Sequence, residues 1–315
     1  MNSNQHLQLM RLISALCFSP SSGRKPPSRE DQKGCRTVVM GETGLWGKTV
    51  MGDQLLGKNG DGGNWSLGKI DDEEWSLGKI DDEDWSLGKS SDEGTDDLIN
   101  NMDKKATWDR FYTENSRGGQ FKNFEWFFGF QSVQDYILPQ LKSMCAPLHV
   151  LDIGCGTSAL GPSIYIHSKS AVAVTCADIS PVAVRLMQEH AKSTPAQPCN
   201  PASTLIFREM DCTELEGHFE PRSLALIVDK GTTDALLRSK EGRVKAGQIV
   251  RQSLAVLRHS GSLLQFSDED PDARLLWLEK ESQGSAVAAV VSVHEVRELR
   301  GVTYFCYQIS PHAAQ

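Results

Sequence analysis

Several features that define a function class directly are absent from this sequence. The eight cysteines include no Cys-x-x-Cys pair, so no zinc site is predicted, and their scatter fits a reducing compartment better than a disulfide framework. No apolar run reaches the roughly 18 residues that a membrane-spanning helix needs. The eight histidines are dispersed, and no motif gives one of them a catalytic partner. We therefore expect no metal, no membrane span and no histidine-based chemistry.

An excess of positive charge is also absent, since 33 lysines and arginines stand against 41 acidic residues. The formal net charge is -8, but residues 61–97 alone hold thirteen acidic residues and three lysines, which is a local net charge of -10. The rest of the chain is therefore close to neutral, at about +2. Such a balance gives no basis for predicting a nucleic-acid partner.

The first residues have the composition of a targeting segment. No acidic residue precedes Glu30, whereas serines and four basic residues are present, and apolar residues are spaced to form one face of a helix. This pattern predicts a mitochondrial transit peptide over residues 1–30. A secretory signal and an ordinary disordered terminus remain alternatives. The basic residues are Arg11, Arg24, Lys25 and Arg29.

Residues 31–100 are predicted to be a disordered acidic linker. The segment Trp65 to Glu74 repeats from Trp75 and in part from Trp85, with a period of ten residues. Each repeat offers too few apolar side chains to build a packed core. The repeats are either a tolerated expansion or an array of docking motifs for partner proteins.

A glycine turn is the most informative local feature. An apolar strand runs into Asp152 and is followed by Gly154-Cys-Gly156. Glycine adopts backbone angles closed to other residues and lets main-chain amides approach a ligand, so this turn predicts a nucleoside cofactor site. A second strand ends in Asp178, at a spacing suited to a carboxylate that holds ribose hydroxyls. Both a nicotinamide cofactor and S-adenosylmethionine satisfy this pattern.

The order of predicted elements from residue 101 to residue 315 defines an α/β fold. Apolar strands alternate with helices up to the strand at 262–267, which predicts a doubly wound, mostly parallel sheet. The last two strands, near 286–296 and 302–309, are separated by only five residues and are expected to form an antiparallel hairpin. The fold class is therefore a Rossmann-like sheet of seven strands with a C-terminal antiparallel hairpin, and plain dinucleotide folds usually lack that hairpin.

The motifs together resemble a named family. Asp152, Asp178 and Asp211 stand where class I methyltransferases place the acids that organise the glycine turn, hold the ribose and address the adenine. The chain resembles the mitochondrial citrate synthase lysine methyltransferases and, in part, the elongation factor 1A lysine methyltransferases. The motifs that carry the resemblance are Trp108-Asp-x-x-Tyr112, Phe124-Glu-Trp126, Leu151-Asp-Ile-Gly-Cys-Gly156, Val228-Asp-Lys-Gly-Thr-x-Asp-Ala235 and Gln265-Phe-Ser-Asp-Glu-Asp-Pro271.

The resemblance implies S-adenosyl-L-methionine as cofactor and a lysine of a mitochondrial matrix protein, citrate synthase, as substrate. An unprotonated lysine amine would attack the methyl group of the cofactor directly, in line with the departing sulfur, so that the N–C bond forms as the C–S bond breaks. The implied cofactor-binding residues are Trp108, Tyr112, Trp126, Asp152, Gly154, Gly156, Asp178, Ile179, Asp211, Cys212 and Lys230.

Two further groups of acids are assigned by position. Asp229 and Asp234 follow the fourth strand of the predicted parallel sheet and are candidates to orient the amine or take its proton. Asp234 is equally suited to be an ordinary first-turn acid of a helix. Asp268, Glu269 and Asp270 follow the next strand and are candidates to bind basic residues around the target lysine, a solvated turn being the alternative. Lys230 is either structural or a contact to the cofactor carboxylate.

Three other functions remain open at this point. The glycine turn and Asp178 alone also fit a nicotinamide-dependent oxidoreductase. A methyltransferase acting on small molecules is not distinguished by residue spacing. A non-catalytic adaptor that binds partners through the tryptophan repeats is the third alternative.

Overall fold

The computed structural model describes residues 36–40, 100–116, 121–143, 146–282, 287–299 and 301–312. The predicted transit peptide and the tryptophan repeats lie outside these residues. No helix in the described part of the chain is both long enough and apolar enough to cross a membrane.

The described residues form strands and helices in alternation. The strands are β1 (Arg36–Met40), β2 (Leu148–Ile153), β3 (Val172–Asp178), β4 (Thr204–Glu209), β5 (Leu224–Lys230), β6 (Leu257–Ser267), β7 (Ala289–Leu299) and β8 (Val302–Pro311). The helices are α1 (Lys105–Asn115), α2 (Gln134–Ile137), α3 (Leu160–His167), α4 (Pro181–Ser193), α5 (Thr232–Leu236), α6 (Lys240–Val256) and α7 (Pro271–Ser282). Short 3-10 turns lie at Phe130–Ser132, Leu138–Gln140 and Cys212–Gly217.

All described strands belong to one sheet, in the order β1-β7-β8-β6-β5-β2-β3-β4. Strands β2 to β6 pair in parallel, whereas β8 pairs antiparallel with both β6 and β7. The predicted seven-stranded methyltransferase sheet with its C-terminal hairpin is therefore confirmed. The ends of the elements differ from the prediction by a few residues.

The sheet has one strand more than the sequence predicted. β1 pairs antiparallel with the edge strand β7, from Arg36 opposite Val293 to Met40 opposite Ala289. This segment falls within the range 31–100 assigned above to a disordered linker, and that assignment is wrong for these five residues. Its β-branched Thr-Val-Val core suits a strand, and pairing satisfies the backbone groups that β7 would otherwise expose at the sheet edge.

Local chemistry explains where the helices begin. Ser180 caps α4 by accepting a hydrogen bond from the Ala183 amide, and Pro181 occupies the first helical position, as predicted. α6 begins at Lys240, three residues before the predicted start, because the Ser239 hydroxyl accepts from the Gly242 amide at 2.9 Å. Helix α7 was not assigned from the sequence; it too opens with a proline at its first position.

The sheet is covered on both faces, which explains the continuous apolar runs. Every residue of β5 is buried. In β2, Leu151 and Ile153 join one hydrophobic cluster and Val150 joins the other, because successive side chains point to opposite faces. Because β2 to β6 run in the same direction, their carboxyl ends meet at one edge of the sheet, and the loops that follow them converge there.

Removing a central core side chain tests this arrangement. Leu226 of β5 is fully buried, so Leu226→Ala should lower the free energy of unfolding by about 2–5 kcal/mol through lost burial and a residual cavity. Leu276→Ala is the control, because that leucine is largely exposed and its truncation should cost less than about 0.5 kcal/mol. Chemical denaturation measures both values; similar losses for the two variants would contradict the assignment of β5 to the core.

Candidate active site

All eleven residues predicted to bind the cofactor line a single cavity at the carboxyl edge of the sheet. The cavity lies between the loops that follow β2, β3, β4 and β5, under the chain that contains α1 and residues 121–128. The predicted residues that line it are Trp108, Tyr112, Trp126, Asp152, Gly154, Gly156, Asp178, Ile179, Asp211, Cys212 and Lys230.

The glycine turn after β2 requires glycine at two positions. Gly154 and Gly156 have φ values of +59° and +53°, in the left-handed region. A Cβ on Gly154 would lie 1.9 Å from the Thr232 hydroxyl oxygen, and one on Gly156 would lie 2.4 Å from the Tyr112 hydroxyl oxygen. Both the backbone angles and the packing of the turn therefore require residues without a side chain at these two positions.

The Asp178 carboxylate holds the glycine turn through hydrogen bonds to the backbone. One of its oxygens accepts from the Gly156 amide at 2.8 Å, and the other accepts from the Ser180 amide at 2.8 Å. Asp178 therefore joins the glycine turn to the start of α4. Burial raises the pKa of Asp178 to about 6, although the two amides favour its ionised form.

Asp152 is a second buried carboxylate beside the turn. Its side chain accepts from the Gly161 amide at 3.1 Å, which ties the end of β2 to α3. Burial raises the pKa of Asp152 to about 7, an effect that the nearby Lys230 ammonium partly offsets. A positive ligand in the cavity would favour the ionised form of both carboxyls.

Asp211 and Cys212 follow β4. One carboxylate oxygen of Asp211 accepts from the amide and the hydroxyl of Thr213, at 2.9 and 2.8 Å, and the residue remains exposed. Cys212 is buried, and burial raises the pKa of its thiol well above the ordinary value. The Cys212 side chain therefore supplies packing in this cavity rather than a reactive thiolate.

Aromatic rings form a wall of the cavity beside the glycine turn. Trp108 stacks on Tyr112 with ring centroids 6.1 Å apart and meets Trp126 edge-on at 6.2 Å. The Trp108 indole N–H donates to the Met102 carbonyl at 2.8 Å, whereas the buried indole N–H of Trp126 has no acceptor among the described residues. Trp126 also lines the cavity.

Glu125 is a site residue that the sequence analysis did not assign. Its carboxylate accepts from the Lys230 ammonium at 2.9 Å, the Ser158 hydroxyl at 2.7 Å and the Ala159 amide at 2.7 Å. The Lys230 ammonium also donates to the Trp126 carbonyl at 2.8 Å. These bonds give Lys230 a structural role, because they fix the aromatic segment, residues 121–128, against the glycine turn and the end of β5. The Phe124-Glu-Trp126 motif contained this residue, but nothing local reveals its partner 105 residues away.

The chain before the aromatic segment is held at three other places. The Ser180 hydroxyl donates to the Asp109 carboxylate at 2.6 Å, and Lys105 pairs with Glu209 at the end of β4. The Lys245 ammonium of α6 donates to the Asp103 carbonyl at 2.6 Å. Both Asp103 and Lys245 line the cavity, and neither was predicted.

The two predicted catalytic carboxylates are placed differently from the expectation, because neither lines the cavity. Asp229 accepts from the Thr232 and Thr233 amides, the Thr233 hydroxyl and the Gln265 amide group, at 2.5 to 3.2 Å. Asp234 accepts from the Arg274 guanidinium at 2.6 Å and the Ser267 hydroxyl at 2.5 Å. Both carboxylates are occupied within the protein, so the geometry does not support direct contact with a substrate amine.

The predicted substrate-binding acids Asp268, Glu269 and Asp270 also lie outside the cavity lining. They follow β6, and Glu269 and Asp270 are exposed. Their position at the carboxyl edge of the sheet leaves them available to a macromolecule approaching the site.

The charges of the cavity fit S-adenosylmethionine. Lys230 is paired with Glu125, and Lys245 lies 3.7 Å from the Asp103 carboxylate. Three further carboxylates, on Asp152, Asp178 and Asp211, have no cationic side chain within 4.0 Å among the described residues. An acidic cavity with an aromatic wall and a glycine turn suits a cationic nucleoside, and the fold and the site together define a class I methyltransferase that uses S-adenosylmethionine.

Sequence relatives identify the family. The chain is 72% identical over 221 residues to the mitochondrial citrate synthase-lysine N-methyltransferase of Danio rerio, a match that covers 69% of this chain and 87% of that protein. The chain belongs to the family of citrate synthase-lysine N-methyltransferases and is a protein-lysine methyltransferase. The nicotinamide-dependent and adaptor alternatives are thereby excluded as its primary function.

Other relatives are more distant. The Homo sapiens protein of the same name is 42% identical over 211 residues, covering 65% of this chain and 85% of its own length. EEF1A lysine methyltransferase 4 of Mus musculus is 28% identical over 176 residues, a match that covers 53% of this chain and 62% of that protein. A solved rRNA methylase from Streptococcus thermophilus has a TM-score of 0.39 and 12% identity, covering 56% of this chain and 92% of its own. No family model matches the sequence.

A substitution at Gly156 tests the glycine turn. Gly156→Ala should weaken S-adenosylhomocysteine binding by at least roughly tenfold, because the new Cβ meets the Tyr112 hydroxyl in a left-handed backbone that costs about 1 kcal/mol or more. Adding Tyr112→Phe removes the nearest clashing atom and should restore part of the affinity. Gly217→Ala is the control, since nothing lies within 4 Å of that position. Calorimetry that finds wild-type affinity for Gly156→Ala would contradict this geometry.

The buried carboxyls predict a pH dependence. In the folded protein the pKa of Asp152 is about 7 and that of Asp178 is about 6, whereas an ordinary aspartate has a pKa of about 3.9. The folded protein without cofactor therefore retains protons that the unfolded chain loses. Their contribution to its stability therefore falls as pH rises from about 4 to about 7.

A cationic cofactor prefers the ionised carboxylates, so its affinity should rise roughly tenfold between about pH 5.5 and about pH 7.5. Calorimetric titration with S-adenosylmethionine measures this, and Asp152→Asn should flatten the dependence. An affinity for the wild-type protein that does not change over this range would show that these carboxyls do not face the cofactor.

Proposed function

We propose that this chain methylates a lysine of citrate synthase in the mitochondrial matrix, and that its cavity binds S-adenosylmethionine through the residues described above. The observation that carries this proposal is the cavity that brings together the aromatic rings, the glycine turn and three carboxylates without an ion-pair partner among the described residues. The proposed substrate is supported by the relatives in Danio rerio and Homo sapiens, which are named mitochondrial citrate synthase-lysine N-methyltransferases. The basic, acid-free start of the chain supports the location.

Individual residues would hold the cofactor in this way. The Asp178 carboxylate would accept hydrogen bonds from the ribose, Asp211 would address the adenine, and the glycine-turn amides with Asp152 would hold the amino-acid part. Bound there, S-adenosylmethionine supplies an electrophilic methyl group on a cationic sulfur.

The aromatic wall would act on the lysine amine. A lysine with a pKa near 10.4 requires on the order of 3 kcal/mol to become neutral at about pH 8. Trp108, Tyr112 and Trp126 would exclude water and so disfavour the ammonium form. They would also fix the direction of approach, and alignment of this kind contributes roughly 7–11 kcal/mol to comparable reactions.

Asp229 and Asp234 would act as positioning residues rather than as proton acceptors. The Asp229 carboxylate holds the amides that begin α5, directly after the Lys230-Gly231 corner of the cavity. Gly231 has a φ of +92°, and a Cβ there would lie 2.3 Å from the Trp126 ring. The Asp229 side chain therefore supports the corner on which Trp126 packs, and the amine proton would pass to solvent.

The acidic loop, residues 268–270, would recognise the protein substrate. Glu269 and Asp270 are exposed beside the site, and exposed charges of one sign attract a partner surface of the opposite sign. Basic residues around the target lysine are the matching chemistry.

A methyl-transfer assay tests the proposed function. The purified chain, incubated with labelled S-adenosylmethionine and a mitochondrial extract, should label citrate synthase, and mass spectrometry should locate the methyl group on a lysine. Gly156→Ala should strongly reduce this labelling while Gly217→Ala retains it. Label confined to small molecules, or to proteins other than citrate synthase, would overturn the proposed substrate.

A further inference from the structure

A buried charged cluster lies between the cavity and the acidic loop. Arg274 of α7 is only 1% exposed, and one of its terminal nitrogens donates to the Asp234 carboxylate at 2.6 Å and to the Ser267 hydroxyl at 2.8 Å. The Ser267 hydroxyl in turn donates to the same Asp234 oxygen at 2.5 Å. Asp234, Ser267 and Arg274 are called the arginine cluster below.

The hydrogen bonding of the arginine cluster is incomplete, which is unfavourable for stability. The other two guanidinium nitrogens of Arg274 have no acceptor among the described residues, and the Trp277 and Tyr307 rings lie 5.5 and 5.7 Å from the guanidinium carbon. Burying a charge with unsatisfied donors is costly, and apolar replacements for a buried ion pair are often neutral or stabilising. A role in fixing geometry therefore accounts better for the cluster than a contribution to stability.

One side of the cluster holds the backbone of the acidic loop. The Ser267 hydroxyl accepts from the Glu269 amide at 3.0 Å, and the Arg274 amide donates to the Asp270 carbonyl at 2.9 Å. The Tyr307 hydroxyl, whose ring lies beside the Arg274 guanidinium, donates to the Glu269 carbonyl at 2.6 Å. Each of these bonds fixes the main chain and leaves the Glu269 and Asp270 side chains exposed.

The other side of the cluster belongs to the cavity wall. Asp234 lies on α5, whose next two residues, Ala235 and Leu236, line the cavity. α5 begins at the Lys230-Gly231 corner against which Trp126 packs. The arginine cluster is thus a continuous polar connection between the wall of the cofactor cavity and the acidic loop.

We propose that Arg274 is a positioning residue that sets the acidic loop in register with the cavity, so that a protein substrate held by the loop presents its lysine to the methyl group. This inference rests on the proposed function. A displacement of about 1 Å in a positioning contact is sufficient to reduce a reaction rate by about a hundredfold, so a rigid connection has a direct kinetic consequence.

The test compares steady-state kinetics of full-length variants with citrate synthase as substrate. Arg274→Met should raise the KM for citrate synthase by roughly tenfold or more, while the affinity for S-adenosylhomocysteine stays within about twofold of wild type. Because Arg274→Met leaves Asp234 unpaired and buried, the double variant Asp234→Leu with Arg274→Met keeps the test independent of folding. It should regain thermal stability and retain the raised KM.

Two controls separate positioning from general damage. Arg251→Met removes a partly exposed ion pair between α6 and α7, 2.8 Å from Glu281, and should leave KM unchanged. Charge reversal of Asp268, Glu269 and Asp270 should raise KM in the wild-type background but add little in the Arg274→Met background, since both changes remove the same interaction.

The inference is wrong if the double variant has a normal KM, or if turnover and cofactor affinity of Arg274→Met fall together with the rise in KM, in proportion to its loss of stability. Absence of methyl transfer to citrate synthase by the wild-type enzyme would overturn the proposed function, and with it this inference. Normal wild-type transfer together with an unchanged KM in the variants would overturn the inference alone.

Discussion

The cofactor cavity depends on the ion pair between the buried Lys230 and the partly buried Glu125. Lys230 ends β5, whereas Glu125 belongs to the aromatic segment, which has no regular strand or helix of its own to hold it over the sheet. Through its bonds to Ser158 and Ala159, the same carboxylate reaches the start of α3 beyond the glycine turn. One charge pair therefore joins the aromatic wall, the turn and the central strand, and it leaves the remaining cavity carboxylates for a cationic ligand.

The sequence predicted those parts of the molecule that local pattern determines. The glycine turn requires left-handed backbone at Gly154 and Gly156, the Ser180-Pro181 pair begins a helix wherever it occurs, and a five-residue link cannot contain a crossover helix. Carboxyl ends of parallel strands meet at one edge, so the grouping of Asp152 and Asp178 also followed from strand order. The predicted cofactor residues lie together in one cavity because that cavity is built largely from backbone and strand ends.

The sequence could not predict contacts between distant side chains. Lys230 and Glu125 are 105 residues apart, and Arg274 is 40 residues from Asp234. When the partner of an acidic residue is unknown, the sequence around it looks the same whether its side chain faces a ligand or a helix terminus. For this reason the sequence favours a direct catalytic role for Asp229 and Asp234. The sequence does not predict the edge strand β1 for a related reason, since five residues, only three of them apolar, form a strand only when an open sheet edge is present to pair with them.

A double-mutant cycle on Glu125 and Lys230 tests the central claim most directly, with S-adenosylhomocysteine affinity as the readout. If the ion pair holds the aromatic wall on the glycine turn, Glu125→Gln and Lys230→Met should each weaken binding by roughly tenfold. The double variant should then be no worse than either single variant, with a coupling energy of about 1 kcal/mol or more. Single variants that bind as tightly as wild type, or effects that simply add, would contradict the account.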